Sequence, residues 1–249
     1  MRAEERPKDW PATVAAARAW QERMQALVKL RPLPRPPRRI AGVDAAYEKG
    51  ERRLYGAAVV LSWPDLEMVA AAGVSGPVPF PYIPGLLSFR EAPILQAAVR
   101  KLPQPPDVIL VDGQGIAHPR RLGLASHLGL LLGMPTIGCA KSRLWGEMGD
   151  LGEEKGSWCP LSAGGRIVGW VLRSRRGCRP LFISPGHLIT LEETLEVVTM
   201  CLGPYRLPLP LRGAHLLSNR LRRQETAATS GGRQASPDEN ATAGTSATG

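Results

Sequence analysis

The sequence predicts an α/β fold: a mixed sheet in which an antiparallel meander joins parallel strands, flanked by helices. Three observations carry this. Three β-type segments, 39–47, 55–62 and 66–74, follow one another across turn signals at Gly50 and Pro64-Asp65. Connections this short favour antiparallel neighbours. Beyond them helical and strand patterns alternate, helix 88–102, strand 107–112, helix 122–132 and strand 136–140, which is the order of parallel βαβ units. Within that alternation Val108-Ile109-Leu110-Val111 is an unbroken apolar run that ends in Asp112. Such a run reads as a strand buried on both faces.

Each element has its own signal. Residues 1–10 are polar and charged and are expected to be loose. Pro11 suits a first helical turn, and Val14, Ala17, Trp20, Met24 and Leu27 then form one apolar stripe of a helix over 11–30. The prolines of RPLPRPPRR at 31–39 forbid its continuation and make a stiff basic connector. Strand 39–47 carries Asp44 in its second half. The stretch 79–85, PFPYIPG, is too rich in proline for a strand interior. It reads as a rigid loop tucked onto the core or as a wedge that enters a nucleic-acid stack. Ser88-Phe89-Arg90-Glu91 matches a capping box, so Glu91 has a plain reading as a cap, and Pro93 is tolerable only near that helix start. Asp112-Gly113 alone reads equally as an ordinary turn.

His127, on an apolar helix, reads as a satisfied core histidine. The Gly- and Glu-rich residues 145–157 are expected as a surface loop. Strands follow at 166–173 and 180–184, then a turn at Pro185-Gly186-His187 into a helix bearing Leu191, Leu195, Val198 and Cys201. A last segment, 210–223, holds His215 and several basic residues. From Gln224 the chain has no aromatic or large aliphatic residue and too little apolar surface to offset ordering entropy. The expected organisation is therefore one domain over 1–223 with a disordered tail at 224–249.

A hydrophobic content of 43% is ample for a core, and the formal charge is +10. The tail holds Glu225, Arg233, Asp238 and Glu239, a net of −2, so the remainder carries about +12. Such a field makes nucleic acid the leading partner, with an acidic membrane surface second. Four cysteines without paired spacing read as reduced core thiols. With no secretory leader and no membrane-length apolar run, a cytoplasmic protein is expected. No exposed repeating apolar face appears, and a monomer is expected.

If the first and fourth strands pair in parallel, Asp44 and Asp112 meet at one sheet end, and the helix between them lays Glu91 over the same spot. Gathered carboxylates raise one another's pKa. A hard divalent cation, Mg²⁺ or Mn²⁺, supplies the reason to gather them, and such an ion polarises phosphoryl groups and activates water.

Six motifs sharpen this: AGVDAAY at 41–47, PYIPGLLSFRE at 81–91, VDGQGIAHPRRLGLASHLG at 111–129, PTIGCAK at 135–141, SPGH at 184–187 and YRLPLPLRGAH at 205–215. With them the chain resembles endonuclease V, the deoxyinosine-specific repair nuclease with a ribonuclease H-like fold, from about Ile40 to Leu217. The resemblance implies that Asp44, Glu91 and Asp112 are catalytic metal-binding acids, with His215 a fourth metal-associated residue and Lys141 a catalytic lysine. It implies a strand-separating wedge of Pro81, Tyr82, Ile83 and Pro84. It also implies a base pocket at Gly85, Leu87, Gly113, Gly123 and Leu144, with Arg90 and His118 near phosphates. The implied reaction is Mg²⁺-dependent hydrolysis, Mn²⁺ substituting, of the second phosphodiester bond 3′ to deoxyinosine in DNA. A ribonuclease acting on inosine-containing RNA and a non-catalytic nucleic-acid binder are the alternatives.

Overall fold

The computed structural model describes residues 10–231. Helix α1 (Val14–Met24), capped by Thr13 accepting from the Ala16 N–H at 3.2 Å, is followed by the meander β1 (Arg39–Tyr47), β2 (Arg53–Ser62) and β3 (Met68–Pro77). Then come α2 (Leu87–Arg100), β4 (Val108–Val111), α3 (Leu124–Leu132) and β5 (Thr136–Ala140). The short β6 (Glu147–Met148), β7 (Trp158–Ala163), β8 (Arg166–Leu172) and β9 (Leu181–His187) lead to α4 (Leu191–Met200) and α5 (Leu209–Gly231).

All nine strands form one sheet in the order β3-β2-β1-β4-β5-β9-β8-β7-β6. The β1–β4 and β4–β5 pairs are parallel and the remaining neighbours antiparallel. β4 is buried on both faces, and its alternation explains how. Ile109 and Val111 pack with Val43 and with Phe89, Leu95 and Leu128 of α2 and α3. Val108 and Leu110 pack with Ile40 and with Val198 and Leu211 of α4 and α5. Among the described residues no helix is long and apolar enough to cross a membrane, and the four cysteines are free thiols.

Several expectations are corrected. Trp10 is not loose. Its indole is buried against Phe89, Trp20 and His127, and its Nε1–H donates to the Phe89 carbonyl at 2.9 Å. That carbonyl needs a donor because Pro93, four residues on, has none to give. The proline therefore sits inside α2 without leaving a buried acceptor unmet. The capping box is absent: α2 starts at Leu87 after an N-cap Leu86 that makes no side-chain bond, and Ser88 lies within the helix. The region after 145 is not all loop, since β6 and β7 add an edge hairpin there. Residues 185–187 extend β9 instead of turning.

Order also continues past Gln224. Helix α5 runs on to Gly231 and docks on the meander, with Leu221 over Gly73 and Glu225 meeting Arg53 at 3.3 Å and Ser75 Oγ at 2.8 Å. A helix already nucleated and docked extends through residues too polar to fold alone. The rest of the expected tail, 232–249, lies outside the described residues, as do residues 1–9.

Candidate active site

The parallel register places Val43 opposite Val111, so Asp44 and Asp112 are the next residues on adjacent strand ends. Ligand sites of α/β sheets gather at this edge. Glu91 descends from the second turn of α2. Asp44, Glu91, Asp112, Lys141 and His215 line one polar cavity, together with Tyr47, Asn219 and Arg222.

Residues 40, 42 and 44 share one face of β1 by strand alternation, the face against α5. A Cβ at Gly42 would stand 2.1 Å from the Pro210 carbonyl carbon, so only glycine admits the helix this closely. From there α5 delivers Ser218 Oγ to Asp44 Oδ2 at 2.6 Å and His215 Nδ1 to the same oxygen at 3.3 Å. The Tyr47 hydroxyl donates to Glu91 Oε1 at 2.7 Å, and the Lys141 ammonium donates to Asp112 Oδ2.

Burial pushes Glu91 up to about 8, with the charges of Asp44 and Asp112 adding and the Tyr47 hydrogen bond and Arg90 opposing. Burial, then Asp112, raises Asp44 as well, against Ser218, His215 and Lys141. Among the described residues no three Asp, Glu, His or Cys side chains already stand at coordinating spacing; each acid is instead met by a donor of the chain. The donor set still fits a hard divalent cation. Carboxylate oxygens predominate, and a doubly charged ion relieves the repulsion that lifts Asp44 and Glu91.

A second cavity of about 280 Å³ adjoins the first, sharing Asp112, Lys141 and Leu87. Gly85, Leu87, Gly113, Gly123 and Leu144 all line it, as do Tyr82, Ile83 and Pro84; Pro81 lies outside it, on the neighbouring surface with Tyr82 and Arg90. Tyr82 is 66% exposed at the rim. The loop from Gly113 to Gly123 forms the floor. Its buried backbone is paired: Gly115 N–H donates to Ser184 Oγ, Ile116 N–H to the Pro185 carbonyl, and Ala125 N–H to the Gln114 carbonyl, while the buried Gln114 Oε1 has no partner. A Cβ at Gly115 would stand 2.1 Å from the Pro185 oxygen, and one at Gly123 2.3 Å from the Gln114 oxygen. Backbone contact thus explains Gly115 and Gly123 of the motif, while a Cβ at Gly113 would meet the Leu124 side chain at 3.1 Å.

Arg90 and His118, expected beside phosphates, are both buried and engaged by the protein itself. Arg90 pairs with Glu51 at 2.7 Å and lies 4.5 Å from the Tyr47 ring centroid. His118 Nδ1 accepts from the Arg120 N–H, which leaves Nε2–H to donate to the Gly85 carbonyl at 3.0 Å. Burial, then Arg120, holds this imidazole down at about 4, so it stands neutral. The same carbonyl also accepts from Gln21 Nε2 and Arg120 Nη2, each at 3.0 Å.

Sequence reasoning passed over Tyr47, Gln21, Ser218, Asn219 and Arg222. Gln21 carried a signal, since it interrupts the apolar stripe of α1 four residues after Ala17. Tyr47 and Ser218 carried none, because what they touch depends on the packing of α2 and α5.

A family model for endonuclease V matches residues 22–216. Endonuclease V of Trichormus variabilis is 47% identical over 216 residues, covering 86% of this chain and 98% of that one. The crystal structure of endonuclease V from Streptomyces avermitilis superposes with a TM-score of 0.83 at 44% identity, covering 88% of this chain and 97% of that one. A variant of Ciona intestinalis endonuclease V, crystallised with a 23-mer DNA containing an inosine followed by a ribo-adenosine, matches with a TM-score of 0.75 at 25% identity, covering 85% and 98%. The mixed sheet is thus the ribonuclease H-like fold of these structures, and the chain belongs to the endonuclease V family of DNA-repair nucleases.

Proposed function

We propose that this chain is a divalent-metal-dependent endonuclease that hydrolyses the second phosphodiester bond 3′ to deoxyinosine in DNA. One observation carries the reading. The cavity that holds the carboxylates Asp44, Glu91 and Asp112 shares Asp112, Lys141 and Leu87 with a second cavity, beside the exposed Tyr82. The inosine-containing DNA bound by the Ciona relative supports the choice of base.

Asp44, Glu91 and Asp112, with His215 beside them, would hold Mg²⁺ or Mn²⁺. That ion supplies charge neutralisation at the phosphate and activation of water. The remaining work belongs to the chain. Lys141, already at Asp112, presents its ammonium to the phosphate and leaves the Asp112 oxygen to the cation. Ser218 and Tyr47 hold Asp44 and Glu91 in orientation. A base extruded from the duplex enters the adjoining cavity, where backbone groups around Gly85, Gly113 and Gly123 read its edge. A snug pocket shaped to the hypoxanthine edge accepts its oxygen and rejects the adenine amine. Tyr82 fills the gap in the stack.

The test is a nicking assay on duplexes with one deoxyinosine, with a ribo-adenosine after the inosine, and with neither, each in Mg²⁺ and in EDTA. Metal-dependent nicking one nucleotide past the inosine is expected. Equal nicking of the unmodified duplex, or none of any duplex, would overturn the reading. Tyr82→Ala is expected to lower kcat/KM on the duplex about ten-fold, the worth of a lost base–aromatic stack, and to lower it less on single strands, which need no separation. Equal losses on both substrates would remove Tyr82 from strand separation.

A further inference from the structure

We propose that Arg222, on the part of α5 beyond the family-matched residues, binds a phosphate of the substrate strand beside the carboxylate site. The inference rests on the nuclease reading above and extends it to residues outside the match, which ends at 216.

Positions 215, 218, 219 and 222 recur at steps of three and four and so share one helix face. His215 and Ser218 meet Asp44. Asn219 Nδ2 donates to the His215 carbonyl at 2.8 Å, and Asn219 and Arg222 line the carboxylate cavity itself. The face that supports Asp44 therefore continues one turn further and ends in a guanidinium.

That guanidinium is little used by the protein. It has five N–H donors, and the hydrogen bond it makes, from Nη1 to the Tyr47 carbonyl, is long at 3.5 Å. Among the described residues no carboxylate pairs with Arg222, although three acids line the same cavity. The acids are steadied by other groups: Ser218, His215 and Lys141 at Asp44, Tyr47 and Arg90 at Glu91. A half-buried guanidinium with donors to spare, at the wall of a site that takes a phosphodiester, suits a bidentate grip on phosphate oxygens. Because it touches the backbone and no base, its contribution is the same for every sequence.

Arg222→Ala and Arg222→Lys in the full chain provide the test. Nicking kinetics are measured on the deoxyinosine duplex. Binding of the inosine and inosine-free duplexes is measured by anisotropy in EDTA across a KCl series. Arg222→Ala is expected to raise KM about ten-fold, the effect of one charged hydrogen-bonding partner. It should weaken binding of both duplexes alike and make the slope of log K against log salt shallower by about 0.9, one phosphate contact. Arg222→Lys should restore the salt slope but only part of KM, a point charge replacing a fork. Unchanged KM and salt slope in Arg222→Ala would overturn the proposal. So would a loss confined to kcat with a displaced pH–rate profile, since that marks a residue tuning the carboxylates. If the wild-type chain fails to nick inosine duplexes while Arg222→Ala still flattens the salt slope, the base specificity is wrong and the phosphate contact stands.

Discussion

Asp112→Asn and Asp44→Asn are each expected to lower single-turnover nicking by about 10³-fold while leaving the fold intact. The magnitude follows from the several kcal/mol that a bound divalent ion contributes at a phosphoryl centre, at about 1.4 kcal/mol per factor of ten. The sign of the stability change is opposite. Asp112 raises both Asp44 and Glu91, so neutralising it relieves two repulsions. The bond it loses, to a Lys141 side chain that is 40% exposed, is worth under about 1 kcal/mol. Asp44→Asn likewise removes a charge that burial disfavours. Both variants should therefore melt at or above the wild-type temperature in metal-free buffer. Thermal unfolding followed by circular dichroism, beside nicking in Mg²⁺, reads the two effects together. Nicking within ten-fold of wild type in both variants would remove these acids from the reaction. A lower melting temperature would show that the charges are held for stability.

That opposition explains which parts of the site were legible in the sequence. An acid at the end of a fully apolar strand is a costly choice if buried, so Asp112 after Val108–Val111 was legible as a candidate, though on its own it read equally as a turn. The pairing of β1 with β4 follows from topology, and it brings Asp44 beside Asp112. Of the groups that support the acids, only His215 and Lys141 were legible, through the resemblance; Ser218 and Tyr47 were not. Ser218 and His215 approach Asp44 only because Gly42 admits α5, a contact between positions far apart in the chain. Ser88-Phe89-Arg90-Glu91 satisfied a local capping pattern, yet Glu91 bonds Tyr47 across space, and packing against β1 decided its partner. Trp10 was misread because composition weighs a charged window, whereas one indole that meets the carbonyl left free by Pro93 is enough to order its end. The same limit hid the continuation of α5 beyond 224, where docking on β2 and β3 supplies what the local sequence lacks.

His127→Phe should change the response to acid more than it changes stability at neutral pH. The imidazole is fully buried, with its ring centroid 4.4 Å from Trp20, 5.1 Å from Phe89 and 5.2 Å from Trp10. It is a core histidine as expected, but not a satisfied one, since neither ring nitrogen has a hydrogen-bond partner. Burial pushes its pKa down to about 3 from 6.5. The folded chain thus refuses a proton that the unfolded chain accepts below about 6.5. Its contribution is fully present above that pH and falls by about 1.4 kcal/mol per unit as the pH drops toward 3. At pH 4.5 the loss from this residue is about 3 kcal/mol, a large fraction of a typical stability of about 5–15 kcal/mol. Glu91 works the other way. Raised to about 8, it takes up a proton in the folded state first, and stability rises as the pH falls from 8 through the ordinary glutamate range. The wild-type curve therefore mixes two opposite slopes, and only the difference between variant and wild type isolates His127. In urea unfolding that difference should be constant from pH 7 to 8, whatever its offset from repacking the larger ring. Below 6.5 it should grow in favour of His127→Phe by about 1.4 kcal/mol per unit. Parallel curves down to pH 4.5 would mean that the ring finds a proton-accepting partner in the folded state, and the reading of a neutral, unpartnered imidazole would fall.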